Sequence, residues 1–162
     1  MKETIVNNRK GRNMATGKAS KTPAFVINSN ETNRPGLWGE MLNRSVACTG
    51  GKLKFGQLLE KLVRGSRLFL YVNRVGVVAE GIVTSEWNGR SNEPPLVWKK
   101  KEWKEWAEYT VGVEWRKKAN EKQAVSIDEL QSIGYRLFCK TLMPVASDVA
   151  NKISARLKVG RV

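Results

Sequence analysis

Leu68-Phe69-Leu70-Tyr71-Val72-Asn73-Arg74-Val75-Gly76-Val77-Val78-Ala79-Glu80-Gly81-Ile82-Val83 is the stretch that decides the fold. Both halves are runs of β-branched, aromatic and aliphatic residues with little polar alternation, which predicts strands buried on both faces. The polar pair Asn73-Arg74 between them makes a hairpin. Downstream, Tyr109, Val111, Val113 and Trp115 alternate strictly with Glu108, Thr110, Gly112 and Glu114. That period of two predicts a strand with one buried face, and it assigns Trp115 to the core.

Working outward, Ala24-Phe25-Val26-Ile27 reads as a short buried strand, followed by a polar loop from Asn28 to Arg34. Pro35 then falls where a first helical position is expected, with a short helix running through Trp38 and Leu42. Ser45-Val46-Ala47-Cys48 is a second strand closed by Gly50-Gly51, and Phe55, Leu58, Leu59 and Leu62 recur at helical spacing until Gly65. Ser126 and Glu129 form a capping box that opens a short helical turn. Ser147 can cap a last helix on which Val149, Ile153 and Leu157 share a face, and Gly160 ends it. This order predicts an α+β domain, a curved sheet or small β-barrel with flanking helices, over residues 23–162.

Residues 1–22 differ in composition. Lys2, Arg9, Lys10, Arg12, Lys18 and Lys21 stand against one acid, Glu3, among Asn, Gly and Ser with no apolar periodicity. The segment reads as a disordered basic arm, with an ordinary solvated tail or a leader upstream of an internal start at Met14 as the plainer reading.

The whole chain of 162 residues carries 29 Lys+Arg against 15 Asp+Glu, a formal net charge of +14, and has no histidine. The missing imidazole excludes Ser-His-Asp and Cys-His nucleophile pairs and any histidine-based zinc site. Cys48 and Cys139 form no CxxC pair and read as buried small hydrophobes in a reduced protein. No cofactor or metal is expected. No apolar run approaches a membrane span, so the expected location is the cytoplasm. An excess of positive charge spread along a chain is the footprint of a polyanion binder, because Lys and Arg that meet phosphates release condensed counterions.

The tryptophans sharpen that reading. Trp98-Lys99-Lys100-Lys101-Glu102-Trp103-Lys104-Glu105-Trp106 is too charged for a core strand. Rings placed among lysines suit base stacking beside a phosphate track, which assigns Lys99, Lys100, Lys101 and Lys104 to phosphates. The competing reading makes Trp103 and Trp106 anchors of an amphipathic segment. Trp38 lies at a loop-to-helix junction, and Trp87 ends a strand at a rim.

Phe25-Val26-Ile27-Asn28-Ser29, Gly36-Leu37-Trp38, Leu68 to Asn73, Gly76 to Gly81, Val97 to Trp103 and Val113-Glu114-Trp115 together resemble the PUA-like superfamily, with features of both EVE and YTH domains. The resemblance implies a small barrel whose concave face holds a flipped, modified base, DNA or RNA, in an aromatic cage. It implies Trp38 as the first cage aromatic and Trp98 and Trp103 as the other two. Ser29 and Asn30 fall where such domains read the base edge. Unstacking an extruded base costs a few kcal/mol, which stacking and edge hydrogen bonds offset.

An enzyme is not expected. Asp128-Glu129 reads as helix N-terminal acids, Glu114 as the edge of an alternating strand, and no Walker-type phosphate loop occurs. Two alternatives to a modified-base reader are a structural RNA-binding module without a base pocket, and an inhibitor or interaction protein acting on a restriction or defence system.

Overall fold

The computed structural model describes residues 22–31, 34–98, 107–136 and 140–158. Residues 1–21 of the basic arm expected over 1–22, the lysine-tryptophan segment 99–106, Cys139 and Gly160 lie outside the described residues. Six strands, β1 Ala24–Asn28, β2 Val46–Gly51, β3 Arg67–Val72, β4 Gly76–Ser85, β5 Ala107–Lys118 and β6 Leu142–Val145, form one sheet. Its order is β2-β5-β4-β3-β1-β6, antiparallel throughout except for the parallel pair β1 and β3. Four helices accompany it: α1 Leu37–Asn43, α2 Leu53–Gln57, α3 Ile127–Ser132 and α4 Ser147–Arg156. The architecture is the expected α+β fold, a curved mixed sheet with flanking helices. No helix among the described residues is long and apolar enough to cross a membrane.

The opening hairpin forms as its sequence requires. β3 and β4 pair antiparallel around Asn73–Val75, with Arg74 and Gly76 at positive φ of 66° and 125°. Register shifts at Leu70/Tyr71, Glu80/Gly81 and Val83/Ser85 bend the sheet, as bulges do. Leu68, Leu70 and Val72 pack into one core cluster with α1 and β2, whereas Phe69 and Tyr71 pack into a second with α3 and α4. That division is why the hairpin shows no polar alternation: both faces are covered.

Three local readings shift. Pro35 precedes α1 by two positions, because Gly36 takes the N-cap in the left-handed region at φ 85°. The 53–62 stretch is a short α2 followed by a 3-10 turn, Leu58–Lys61, with Leu59 and Leu62 fully buried. Ala146 rather than Ser147 caps α4, which stops at Arg156. The capping box at Ser126 and Glu129 is present with both reciprocal bonds. α4 is tied to the sheet by Glu80, which accepts from Arg67 Nε at 2.6 Å and from Ser154 Oγ at 2.6 Å, while Lys117 Nζ donates to the Ser154 carbonyl at 2.9 Å. Burial alone would raise the Glu80 carboxyl; the bonds from Ser154 and Arg67 and the charges of Arg67 and Lys117 outweigh it and hold it below the usual carboxylate range.

Trp115 is a core residue, 7% exposed, whose indole Nε1 donates to the Met41 carbonyl at 3.1 Å. Trp115→Ala is expected to cost about 3–5 kcal/mol in urea unfolding, as large core truncations do; a variant with the parent's midpoint would place this ring outside the core. A carboxyl depressed by folding stabilises above its unfolded pKa, and that contribution is lost as pH falls through the folded value. Between pH 6 and 3 the parent should therefore lose more stability than Glu80→Gln, measured by denaturant unfolding at each pH.

Candidate functional site

The parallel pairing of β1 and β3 brings the C-terminal ends of both strands to one edge of the sheet. There the chain opens a cavity of about 820 Å³. The β1 exit contributes Asn28, Ser29 and Asn30; β2 contributes Cys48, Thr49 and Gly50; the β3 turn contributes Asn73 and Arg74. Arg34, Trp98 and Lys140 complete its chemistry, and no carboxylate lines it among the described residues. Because β1 and β2 sit near opposite edges of the sheet yet line the same space, the curl of the sheet makes the cavity.

The turn out of β1 is locally encoded. Asn28 Oδ1 accepts from the Asn30 amide at 2.8 Å, an Asx turn that lets Asn30 adopt φ 56°. Ser29 is 1% exposed, its amide donates to the Tyr71 carbonyl at 3.0 Å, and its hydroxyl has no hydrogen-bond partner among the described residues. A buried hydroxyl in a cavity wall is a donor and acceptor held ready for a ligand, since leaving it unmatched costs about 1–3 kcal/mol.

Trp98 is fixed from three directions. Its backbone amide donates to Glu108 Oε2 at 2.8 Å. The edge of its six-membered ring, at Cη2 and Cζ2, occupies the space a side chain would take at Gly50. The Arg34 guanidinium lies 3.4 Å from the ring centroid, a stacked cation–π contact. The ring is 6% exposed and belongs to the main core cluster. Burial pushes the Cys48 thiol in the same wall well above its ordinary pKa, and the Glu108 charge adds to that; Arg34 and a hydrogen bond from the Trp98 indole pull the other way.

Glu108 is the hidden support. It is 0% exposed and accepts from the amides of Leu96 at 2.7 Å, Val97 at 2.9 Å and Trp98 at 2.8 Å, and from Asn92 Nδ2 at 2.8 Å. Its carboxylate therefore replaces a strand partner for the segment that presents Trp98. The alternation on β5 placed Glu108 on the polar face. The structure corrects this, because residues 92–98 fold back over that end of the strand.

Of the residues singled out from sequence, Ser29, Asn30 and Trp98 meet at the cavity. Trp38 does not line it: the residue is half-buried on α1 against the main cluster, and its neighbour Leu37 lines the wall. Trp103 and Lys99, Lys100, Lys101 and Lys104 lie outside the described residues. Arg34, Gly50 and Glu108 were missed. Gly50-Gly51 offered a signal that was read only as a strand end, and no local pattern distinguishes Arg34 or Glu108. Trp87 packs edge-on against Tyr109, centroids 5.7 Å apart, and donates to the Arg90 carbonyl at 2.8 Å, away from this cavity. Among the described residues no group of three or more His, Cys, Asp or Glu stands together as a metal site would need.

No protein-family model and no curated protein matches the chain. Solved structures do. A YTH domain-containing protein, mmi1, in complex with RNA, superposes with TM-score 0.56 at 15% identity, covering 84% of this chain and 81% of that one. Human THYN1 in complex with DNA containing 5-methylcytosine gives 0.52 at 12% identity over 86% of this chain and 100% of that one. The YTH domain of Zygosaccharomyces rouxii MRB1 in complex with N6-methyladenosine RNA gives 0.51 at 13% identity over 87% and 90%. The chain shares the fold of these domains.

Two substitutions test the support of Trp98. Glu108→Gln would put an amide NH2 in place of one oxygen, where it would face either Asn92 Nδ2 and the Leu96 amide or the amides of Val97 and Trp98, and it is expected to cost about 2–3 kcal/mol and to raise hydrogen exchange at Leu96, Val97 and Trp98 selectively. Gly50→Ala would place a methyl on the indole edge, with an expected loss of about 1–3 kcal/mol. Unchanged protection at the three amides in Glu108→Gln would show that the carboxylate does not hold the segment.

Proposed function

We propose that the chain binds nucleic acid and accepts one extruded, modified base in the cavity beside Trp98. The observation that carries this reading is the composition of one wall system: a fixed indole stacked by a guanidinium, a buried hydroxyl at Ser29 without a partner among the described residues, and the cations Arg34, Arg74 and Lys140 with no carboxylate among the described lining residues. The volume lies within the roughly 300–1,000 Å³ of small-molecule sites. An anionic nucleotide with a flat, polar-edged ring suits all of these features.

In this reading Trp98 is the stacking surface and Arg34 its resident partner. A base either takes the place of the guanidinium on the indole, releasing Arg34 toward phosphate, or stacks on the outer face of the guanidinium. Ser29 and Asn30 meet the base edge. Trp103 supplies a further ring and Lys99, Lys100, Lys101 and Lys104 phosphate contacts, as the likeness to modified-base readers suggests. The charge of +14 supplies the salt-sensitive part of the affinity.

Because Trp98 is packed in the core, Trp98→Ala would unfold as well as unbind; Trp98→Phe and Ser29→Ala are the informative variants. Hexanucleotides of 5-methylcytosine DNA and N6-methyladenosine RNA, each against its unmodified twin, should show a preference for a modified strand in the parent. Trp98→Phe should weaken that strand by about 1–3 kcal/mol, the range for a stacking partner, with an unchanged salt slope. If Trp98→Phe and Ser29→Ala bind every strand as the parent does, the plain nucleic-acid-binding reading replaces this one.

A further inference from the structure

A second cavity of about 820 Å³ adjoins the first, with Phe55, Lys140 and Thr141 lining both. Its floor is apolar, built from Leu58 beside α2 and from Leu142 and Met143 of the edge strand β6. Its rim carries Lys61, Arg136 and Lys140, all exposed, and no carboxylate lines it among the described residues. Tyr135 also lines it, 7% exposed, with a buried hydroxyl that has no hydrogen-bond partner among the described residues. Burial pushes that hydroxyl up to about 12, so it stays protonated and able to donate.

We propose that this groove is the seat of the nucleotide flanking the base in the first cavity, with its phosphate on Lys140, Arg136 and Lys61 and its ring on the apolar floor. The proposal rests on the base-binding reading and adds the direction in which the strand leaves. Two observations select this occupant. The alternation of cationic rim and apolar floor matches a phosphate followed by a base, and the groove is continuous with the first cavity through a shared lysine. A peptide strand added to the edge of β6 is disfavoured, since Pro144 removes a ladder donor from the middle of a four-residue strand.

The test compares the parent with Lys61→Gln/Arg136→Gln, which leaves Lys140 and the first cavity intact, and with Lys122→Gln/Lys152→Gln, which removes the same charge from exposed sites lining neither cavity. The probes are the 5-methylcytosine DNA and N6-methyladenosine RNA hexanucleotides and the corresponding mononucleosides. The groove pair should bind the preferred hexamer about tenfold more weakly near physiological salt and flatten the log–log salt slope by about one to two, while mononucleoside binding stays at the parent's level. The control pair should leave the slope within experimental scatter of the parent. An unchanged slope in the groove pair, an equal loss in the control pair, or an equal loss for the mononucleoside overturns the proposal. If the groove pair lowers the slope but Trp98→Phe changes nothing, the groove stands as a backbone site and the base cavity falls. If the parent binds no hexamer, both fall.

Discussion

A carboxylate with no solvent exposure accepts four N–H donors from one stretch of chain. Glu108 does for residues 92–98 what a neighbouring strand would otherwise do, and it holds Trp98 against Gly50 at the mouth of the cavity. Desolvating a carboxylate is expensive unless its oxygens are fully bonded, and charged hydrogen bonds are stronger than neutral ones. The arrangement is therefore all-or-none. With all four donors in place the segment is fixed, and with any one lost a buried charge is left short of partners. The cavity wall, the indole and the stacked Arg34 all depend on this balance.

The fold was legible where the sequence pattern is local and redundant. The β3–β4 hairpin, the alternating β5 strand with Trp115 in the core and the capping box at Ser126 follow from periodicity and from turn and cap chemistry within a few residues. Helix ends were less legible. Pro35 suggested a first helical position, but the flexible neighbour Gly36 took the cap, and the tightening of residues 58–61 into a 3-10 turn leaves no mark in apolar spacing.

The site was legible only in part, for a reason that Glu108 makes plain. Period two says which side of β5 a residue occupies, not what covers that side. Glu108 shares its side with exposed Glu114, yet one end of the strand is roofed by a distant loop and the other is open. Trp98 likewise looked solvent-facing because lysines follow it, whereas its amide and ring are fixed by β5 and β2, ten and more positions away. Leu37 rather than Trp38 reaches the cavity because the first turn of α1, set by Gly36, turns neighbouring side chains to different sides. The misses at Glu108 and Trp98 are long-range contacts, the class of information a single sequence encodes least directly.

The place of the cavity follows from topology more than from any one residue. A parallel pair such as β1 and β3 cannot be joined by a tight turn, so α1, β2 and α2 must intervene. The crossover carries Arg34 and Gly50 with it, and both strands must finish at the same edge, where the exits at Ser29 and Asn73 meet. β6 then closes the other flank of β1, with Lys140 and Thr141 at its entrance. Polar chain exits converge on one edge, while the two faces of the sheet are occupied by core clusters that exclude water. Among the described residues, a flat apolar wall and several hydrogen-bonding groups come together where the indole of Trp98, itself part of the core, lines the cavity at that edge.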